Sequence, residues 1–241
     1  MLDVHAPHQS VHTWKDFFIH IATIVIGLII AVGLEQSVEA IHRRHEVAAL
    51  RENLHAESLQ ILADARRAEA AQVYELDWLK ARIAQAQAAV FEHRPIEPRE
   101  PSHVPVFASP DIPIWRSAKA GTQTPLLTKG EVNAYSEVEY VQIHLDTLSV
   151  ARIRSQDAIR SFNRELPTIP NDGPDFTKAS PQDLRTYLTL LTTAYVAVDR
   201  YLRMLRVLIG AELAVIDGKT SLDDLYASER KTAGVVAAES L

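Results

Sequence analysis

Residues Phe17 to Leu34, FFIHIATIVIGLIIAVGL, run without a formal charge between Lys15-Asp16 and Glu35. As a helix rising about 1.5 Å per residue, this run is about 27 Å long, close to the hydrocarbon thickness of a bilayer. Three structures compete for such a run: a cleaved signal peptide, a buried core helix and a retained membrane span. A signal peptide wants a basic start and a small-residue exit. Here the leader, residues 1–16, sets Asp3 and Asp16 against Lys15, and the run passes into helix-forming sequence with no breaker to expose a scissile bond. Trp14 stands where an interfacial aromatic belongs. The expectation is a transmembrane helix over 17–34.

The side on which the rest of the chain lies is a closer contest. Lys15 and the amino terminus stand before the run; Arg43, Arg44 and Arg51 follow it. The positive-inside rule, which counts Lys and Arg and gives acidic residues little weight, points the larger part to the cytoplasm by that narrow margin.

Beyond the run, the 241 residues leave room for one domain with its own core. Only 8 glycines, with abundant Ala, Leu, Glu, Arg and Gln, favour helices over sheets. From Glu35 to Glu92 there is neither Pro nor Gly. Apolar residues recur there at spacings of three and four, among them Leu50, Leu54, Ile61, Ala65, Ala68, Val73, Leu76, Leu79, Ile83, Ala86 and Val90. That narrow stripe, near a 3.5 period, predicts a long first helix over 35–92 with bundle or coiled-coil packing, continuous with the span.

Residues 95–113 hold Pro95, Pro98, Pro101, Pro105, Pro110 and Pro113, a density no helix survives, and 93–127 is expected to form a Pro-rich crossover containing a short helical turn. Thr128-Lys129-Gly130-Glu131 has capping-box spacing and opens a second long helix with Val132, Tyr135, Val138, Leu145, Leu148, Ile159 and Phe162 inward. Pro167 and Asn171-Asp172-Gly173-Pro174 end it. Ser180-Pro181 opens a third, with Leu184, Leu188, Leu191, Tyr195, Val198, Leu202, Leu205 and Ile209 inward. Gly218 stops it, Ser221 starts a short fourth helix, and residues 232–241 read as a flexible tail. The expected fold is all-α: an N-terminal transmembrane helix continuing into an antiparallel bundle of three long helices plus a short C-terminal helix, with 128–231 forming the remainder of the bundle.

Composition narrows the chemistry. A net charge of −6 argues against a nucleic-acid partner, and the absence of cysteine removes thiol nucleophiles, Fe–S clusters and disulfides. His42 and His45, at i, i+3 beside Glu39 and Glu46, would hold a metal only with a further ligand from elsewhere; with Arg43 and Arg44 they read better as a juxtamembrane girdle among lipid headgroups. His5, His8 and His12 in the leader are a weaker metal candidate still. Arg200, Arg203 and Arg206, near Asp199 and Glu212, read as a solvated and partly paired helix face. His20 lies within the span and shares a helical face with Thr23, Gly27, Ala31 and Glu35, whose small residues at 27 and 31 permit close helix–helix approach. No hydrolase elbow, phosphate loop, zinc-protease or dinucleotide motif is present, and no cofactor is implied.

Two segments carry a resemblance. Ile24, Gly27, Leu28, Ala31, Leu34 and Glu35, followed by the His/Arg girdle, resemble the span of a group of single-span proteins of Gram-negative bacteria that have no assigned activity. Trp115-Arg116-Ser117-Ala118, Gly121, Glu131, Tyr135 and Tyr140 look like the middle element of the same proteins. The resemblance implies a helical domain outside the cytoplasm, against the arginine count. From the residues themselves, Trp115 and Tyr135 are expected to anchor the crossover onto the bundle, since aromatic bodies bury well while their polar tips find partners; the resemblance adds Gly121 and Tyr140 to that anchoring set. The function expected is therefore non-enzymatic: a membrane-anchored helical bundle for protein–protein interaction or scaffolding, with the lipid bilayer and either a second copy or an envelope protein as partners. The alternative is a small-ligand sensor signalling through a partner membrane protein.

Overall fold

A computed structural model describes residues 14–97, 111–121, 123–169 and 173–234. Most of the leader, Pro98, Pro101, Pro105 and Pro110 of the crossover, Asn171-Asp172 of the turn and most of the tail lie outside these residues. The fold is all-α. Five helices follow in order among the described residues: α1 (Trp14–Glu92), α2 (Pro113–Ala120), α3 (Lys129–Glu165), α4 (Pro181–Ile216) and α5 (Leu222–Ala233). The only sheet among them is a two-residue antiparallel pair before α4, β1 (Thr168–Ile169) with β2 (Gly173–Pro174).

The chain divides into two units, residues 1–51 and 52–241. The first is helical from Trp14 onward, and its apolar run is exposed throughout. It contains the one stretch among the described residues that is long and apolar enough to cross a membrane, an 18-residue window of mean hydropathy 2.6. Val38 and Ile41, past the run, are exposed as well, at 61 % and 55 %.

The second unit has a core. Along α1 the residues Leu54, Ser58, Ile61, Ala65, Ala68, Gln72, Glu75, Leu79, Arg82, Ala86 and Ala89 are all buried, at spacings alternating between four and three. A 3.5-residue period keeps one stripe of a long helix facing its neighbours. Opposite it, Ser58 faces Glu212, Glu69 receives a hydrogen bond from Arg206 at 2.7 Å, and Arg82 donates to the Tyr187 hydroxyl at 3.0 Å. Numbers rise along α1 as they fall along α4. The expected stripe departs from the buried one at Val73, which is 37 % exposed, while its neighbour Gln72 is fully buried.

Local signals account for the ends. Glu131 N donates to Thr128 Oγ1 and Thr128 N to Glu131 Oε2, a complete capping box on α3. Ser180 and Asp183 repeat it on α4, behind Pro181. Ser221 caps α5, and Gly218, at φ 74°, makes the turn between α4 and α5.

The last turns of α4 are buried nearly all round, from Leu208 through Gly210, Ala211 and Glu212 to Val215, because α5 packs along them as well. Gly210 makes that cover possible. A Cβ there would stand 2.6 Å from Glu229 Cα, and the Ser228 hydroxyl donates to Gly210 O at 2.8 Å. Gly210→Ala gains about 1 kcal/mol of helix propensity. Overpacking against backbone costs about 1–3 kcal/mol. The clash wins, and thermal unfolding of the full chain in detergent should show a lowered Tm.

Candidate functional site

The second unit buries three groups of polar side chains between its helices, and each is held differently. Around Arg82 every need is met. Its Nη1 donates to Gln85 Oε1 at 2.9 Å and to Glu97 O at 2.7 Å, its Nε serves Tyr187, and its guanidinium lies 5.2 Å from the centre of the Phe176 ring. Tyr187, whose ring centre lies 5.8 Å from the same guanidinium, stacks on Phe162 and meets Phe176 at a tilt. The contact with Glu97 O ties down the chain just after α1 ends. This is a structural lock.

The middle group is under-satisfied. Arg152 of α3 is 1 % exposed, lies 3.6 Å from Glu75 Oε2 and 5.1 Å from the Tyr201 ring centre. Gln156 donates to the other Glu75 oxygen. Among the described residues no nitrogen of Arg152 has a hydrogen-bond partner of good geometry, and neither polar atom of the buried Gln72 amide has one. Burial raises the Glu75 pKa, and Gln156, Arg152 and Arg160 pull it part of the way back. Buried polar groups normally find partners, so this cluster is where bridging water or a small polar ligand has most to offer.

The third group lies where α1, α2, α3 and α4 meet. Glu57 accepts from Ile114 N at 2.7 Å and Trp115 N at 3.2 Å, satisfying the free donors at the start of α2. Trp115, 1 % exposed, stacks on Tyr135 at 5.5 Å and donates to Glu139 Oε2 at 3.1 Å. Lys119 reaches the same carboxylate; it and Trp115 outweigh burial and lower the Glu139 pKa. Beside them Glu212 is fully buried, and burial, reinforced by Glu57, pushes its pKa up to about 8. The Ser58 hydroxyl faces Glu212 and partly offsets that rise, without the alignment of a full hydrogen bond. Burial and the carboxylates of Glu212, Glu131 and Glu57 push the Tyr135 pKa up to about 12. Across Gly210, burial and then Glu137 push Glu229 up to about 7.

The expected site residues fall into three places. His20, Thr23, Gly27, Ala31 and Glu35 are exposed on α1, with the Thr23 hydroxyl donating back to Ile19 O. In the girdle, His42 pairs with Glu46 and Arg43 with Glu39, while Arg44 and His45 are also exposed. Among the described residues no three His, Cys, Asp or Glu side chains gather as a metal site; His5, His8 and His12 lie outside them. In the crossover, Trp115 and Tyr135 come together, and Gly121 closes α2 through its N–H to Ser117 O. Tyr140 stands apart, 56 % exposed with its ring against His144.

Glu212 corrects an expectation. It does not share a solvated face with the arginines: Arg203 pairs with Asp199 and Arg206 with Glu69, and Glu212 points into the core. Sequence reasoning also passed over Gln72, Glu75, Arg82 and Arg152. For the three on α1, the available signal was their place in the row of alternating three- and four-residue steps.

The raised carboxyls make the unit sensitive to pH in an unusual direction. Glu212 and Glu229 bind protons more tightly folded than unfolded, where the ordinary value is 4.5. Their stabilisation is complete below about pH 4.5 and is lost as pH rises through about 7 and 8. Each removes up to about 1.4 kcal/mol per pH unit across its window. Unfolding by denaturant at about pH 5, 7 and 9 should give falling stability, and Glu212→Gln should flatten the upper part of the profile. Arg152→Met should cost about 3–5 kcal/mol by stranding Glu75, whereas Arg152→Met with Glu75→Leu should recover most of that loss.

No protein-family model, curated protein or solved structure matches this chain.

Proposed function

We propose that this chain is a non-enzymatic, single-pass protein of a bacterial inner membrane, whose helical body acts in protein–protein interaction or scaffolding in the envelope. In this reading Phe17–Leu34 is the span, and α1, α3 and α4 form an antiparallel bundle closed by α5. One observation carries it: the apolar run is exposed over its whole length on a helix that continues to Glu92. Its twelve Phe, Ile, Val and Leu residues favour insertion by roughly 5 kcal/mol together. His20 lies near enough to the start of the run for its ring to reach the headgroups, and Trp14 gives the interface an aromatic. The bilayer is then the first partner, and the His42–His45 girdle sits among its headgroups.

The body is assigned to the periplasm on the resemblance of the span and the Trp115 element to extracytoplasmic proteins, against the small arginine excess after the span.

A second reading, a small-ligand sensor, is favoured by the unpartnered polar atoms of Gln72 and Arg152 in the core. Thermal-shift screening of the full chain in detergent against small metabolites separates the two: scaffolding predicts a flat screen, sensing a stabilising hit that Arg152→Met abolishes.

The tether has its own check. Membranes washed with alkaline carbonate should retain the full chain and release a variant lacking residues 17–34. A reporter active only in the periplasm, fused after Leu241, should be active. Release of the intact chain by carbonate would end the membrane reading.

A further inference from the structure

The apolar face of α1 does not stop at the end of the span. From Ile24 onward, steps of three and four residues alternate without a break to Ala48. Written as a heptad, the a positions are Ile24, Ala31, Val38 and His45, and the d positions are Gly27, Leu34, Ile41 and Ala48. Each is exposed. Every formal charge between Ile24 and Ala48 falls off this seam. The Arg43–Glu39 ion pair, at 3.0 Å, and the contact of His42 with Glu46, at 3.1 Å, lie off this seam.

We infer that two copies of this chain pair in parallel along this α1 face, as a left-handed coiled coil that starts in the bilayer and continues beyond it. The inference rests on Phe17–Leu34 being a membrane span.

Four arguments select a second copy as the occupant. Lipid tails can cover Ile24 and Leu34, but Val38 and Ile41 lie past the charge-free run, at the level of the polar headgroups and next to Glu35, Glu39 and Arg43, where another apolar helix face covers them better than lipid does. From Leu34 to Ala48, about two heptads, charged residues are kept off one 3.5-residue row, which matches a helix wound on a helix; a surface that merely faces lipid has no need of it. β-branched Ile24 and Val38 at a with Leu34 at d is the pattern that favours two parallel strands. Finally, all copies of a chain inserted the same way run parallel, so each seam residue meets itself. Gly27 and Ala31 then let the backbones approach inside the membrane, where a Cβ on Gly27 would meet nothing of its own chain within 4 Å. His45 at an a position supplies a polar group of the kind that fixes register.

This seam differs from the face expected from small-residue spacing alone. It shares Gly27 and Ala31 with that face but continues through Leu34, Val38 and Ile41, leaving Thr23 and Glu35 at its flanks.

The chain has no cysteine, so crosslinking has no background from its own thiols. Single-cysteine variants at each position from 34 to 48, in native membranes treated with a copper–phenanthroline oxidant, read the interface directly. Disulfide-linked dimer should peak at Leu34→Cys, Val38→Cys, Ile41→Cys and His45→Cys, and be lost at Glu39→Cys, Arg43→Cys and Glu46→Cys. Adding Ile41→Arg to Val38→Cys should abolish the dimer band while the protein stays in the carbonate-washed membrane. A carbonate-resistant chain with a flat profile, with maxima on the Glu39 side, or with seam adducts of a mass other than twice its own overturns the pairing alone. A chain released by carbonate overturns the span and the pairing together.

Discussion

A helix as long as α1 can hide only one stripe at a time, and the body of this protein depends on which stripe that is. From Leu54 to Ala89 it is a row of alternating four- and three-residue steps, every member of it buried. Ala65, Ala68, Ala86 and Ala89 keep neighbouring helices close, and Leu54, Ile61 and Leu79 fill the space between the small residues. Burying large apolar side chains is worth about 1.5–3 kcal/mol each, and this row provides that burial along the length of one helix. Shifting it by one residue would expose Leu54 and Leu79 and bring exposed neighbours such as His55 and Lys80 inward.

Ser58, Gln72, Glu75 and Arg82 sit within the same row, and burial that favours a leucine penalises each of them. Gln72 is left without a hydrogen-bond partner among the described residues, and the other penalties are met in different ways. Arg82 is compensated by three hydrogen bonds and two aromatic rings. Glu75 has Arg152 and Gln156. Glu212, facing Ser58, draws no lowering of its pKa from a cation, and keeping its proton is the least costly way to remain in the core. That choice couples the helix junction to pH, because ionising Glu212 puts a second negative charge beside the Glu57 carboxylate that holds the start of α2.

The parts of the fold legible in the sequence are those fixed by neighbours in the chain. Thr128 with Glu131 and Ser180 with Asp183 lie three residues apart, so the helix starts could be read directly. The stretch without Pro or Gly marked the part of α1 from Glu35 to Glu92, and His93, at φ 59°, supplies its stop where no glycine marked one. The phase of α1 was harder. Counting apolar residues places Val73 inside, because Gln72 and Glu75 look like surface residues until Arg152 and Gln156, far along the chain on α3, are brought to Glu75. The α2 cap was hidden for the same reason, since its acceptor, Glu57, is on another helix. Trp115 and Tyr135 were readable as anchors by size; that Glu139 would hold the indole was not.

The same spacing that misleads at Val73 gives the outer part of α1 its meaning. Within the body, heptad spacing continues through polar residues because partner helices supply hydrogen bonds and counter-charges. Between Ile24 and Ala48 it continues with no formal charge on the seam, and each seam residue is exposed among the described residues. A run kept apolar only for lipid would be apolar all round and would lose its pattern at the first charged residue. Here the pattern survives Glu35, Glu39, Arg43, Arg44 and Glu46 by leaving them off one face. Selection of one face, carried past the end of the apolar run, is what supports the pairing inferred above, because a second α1 would supply a partner helix of the same pitch without any further protein.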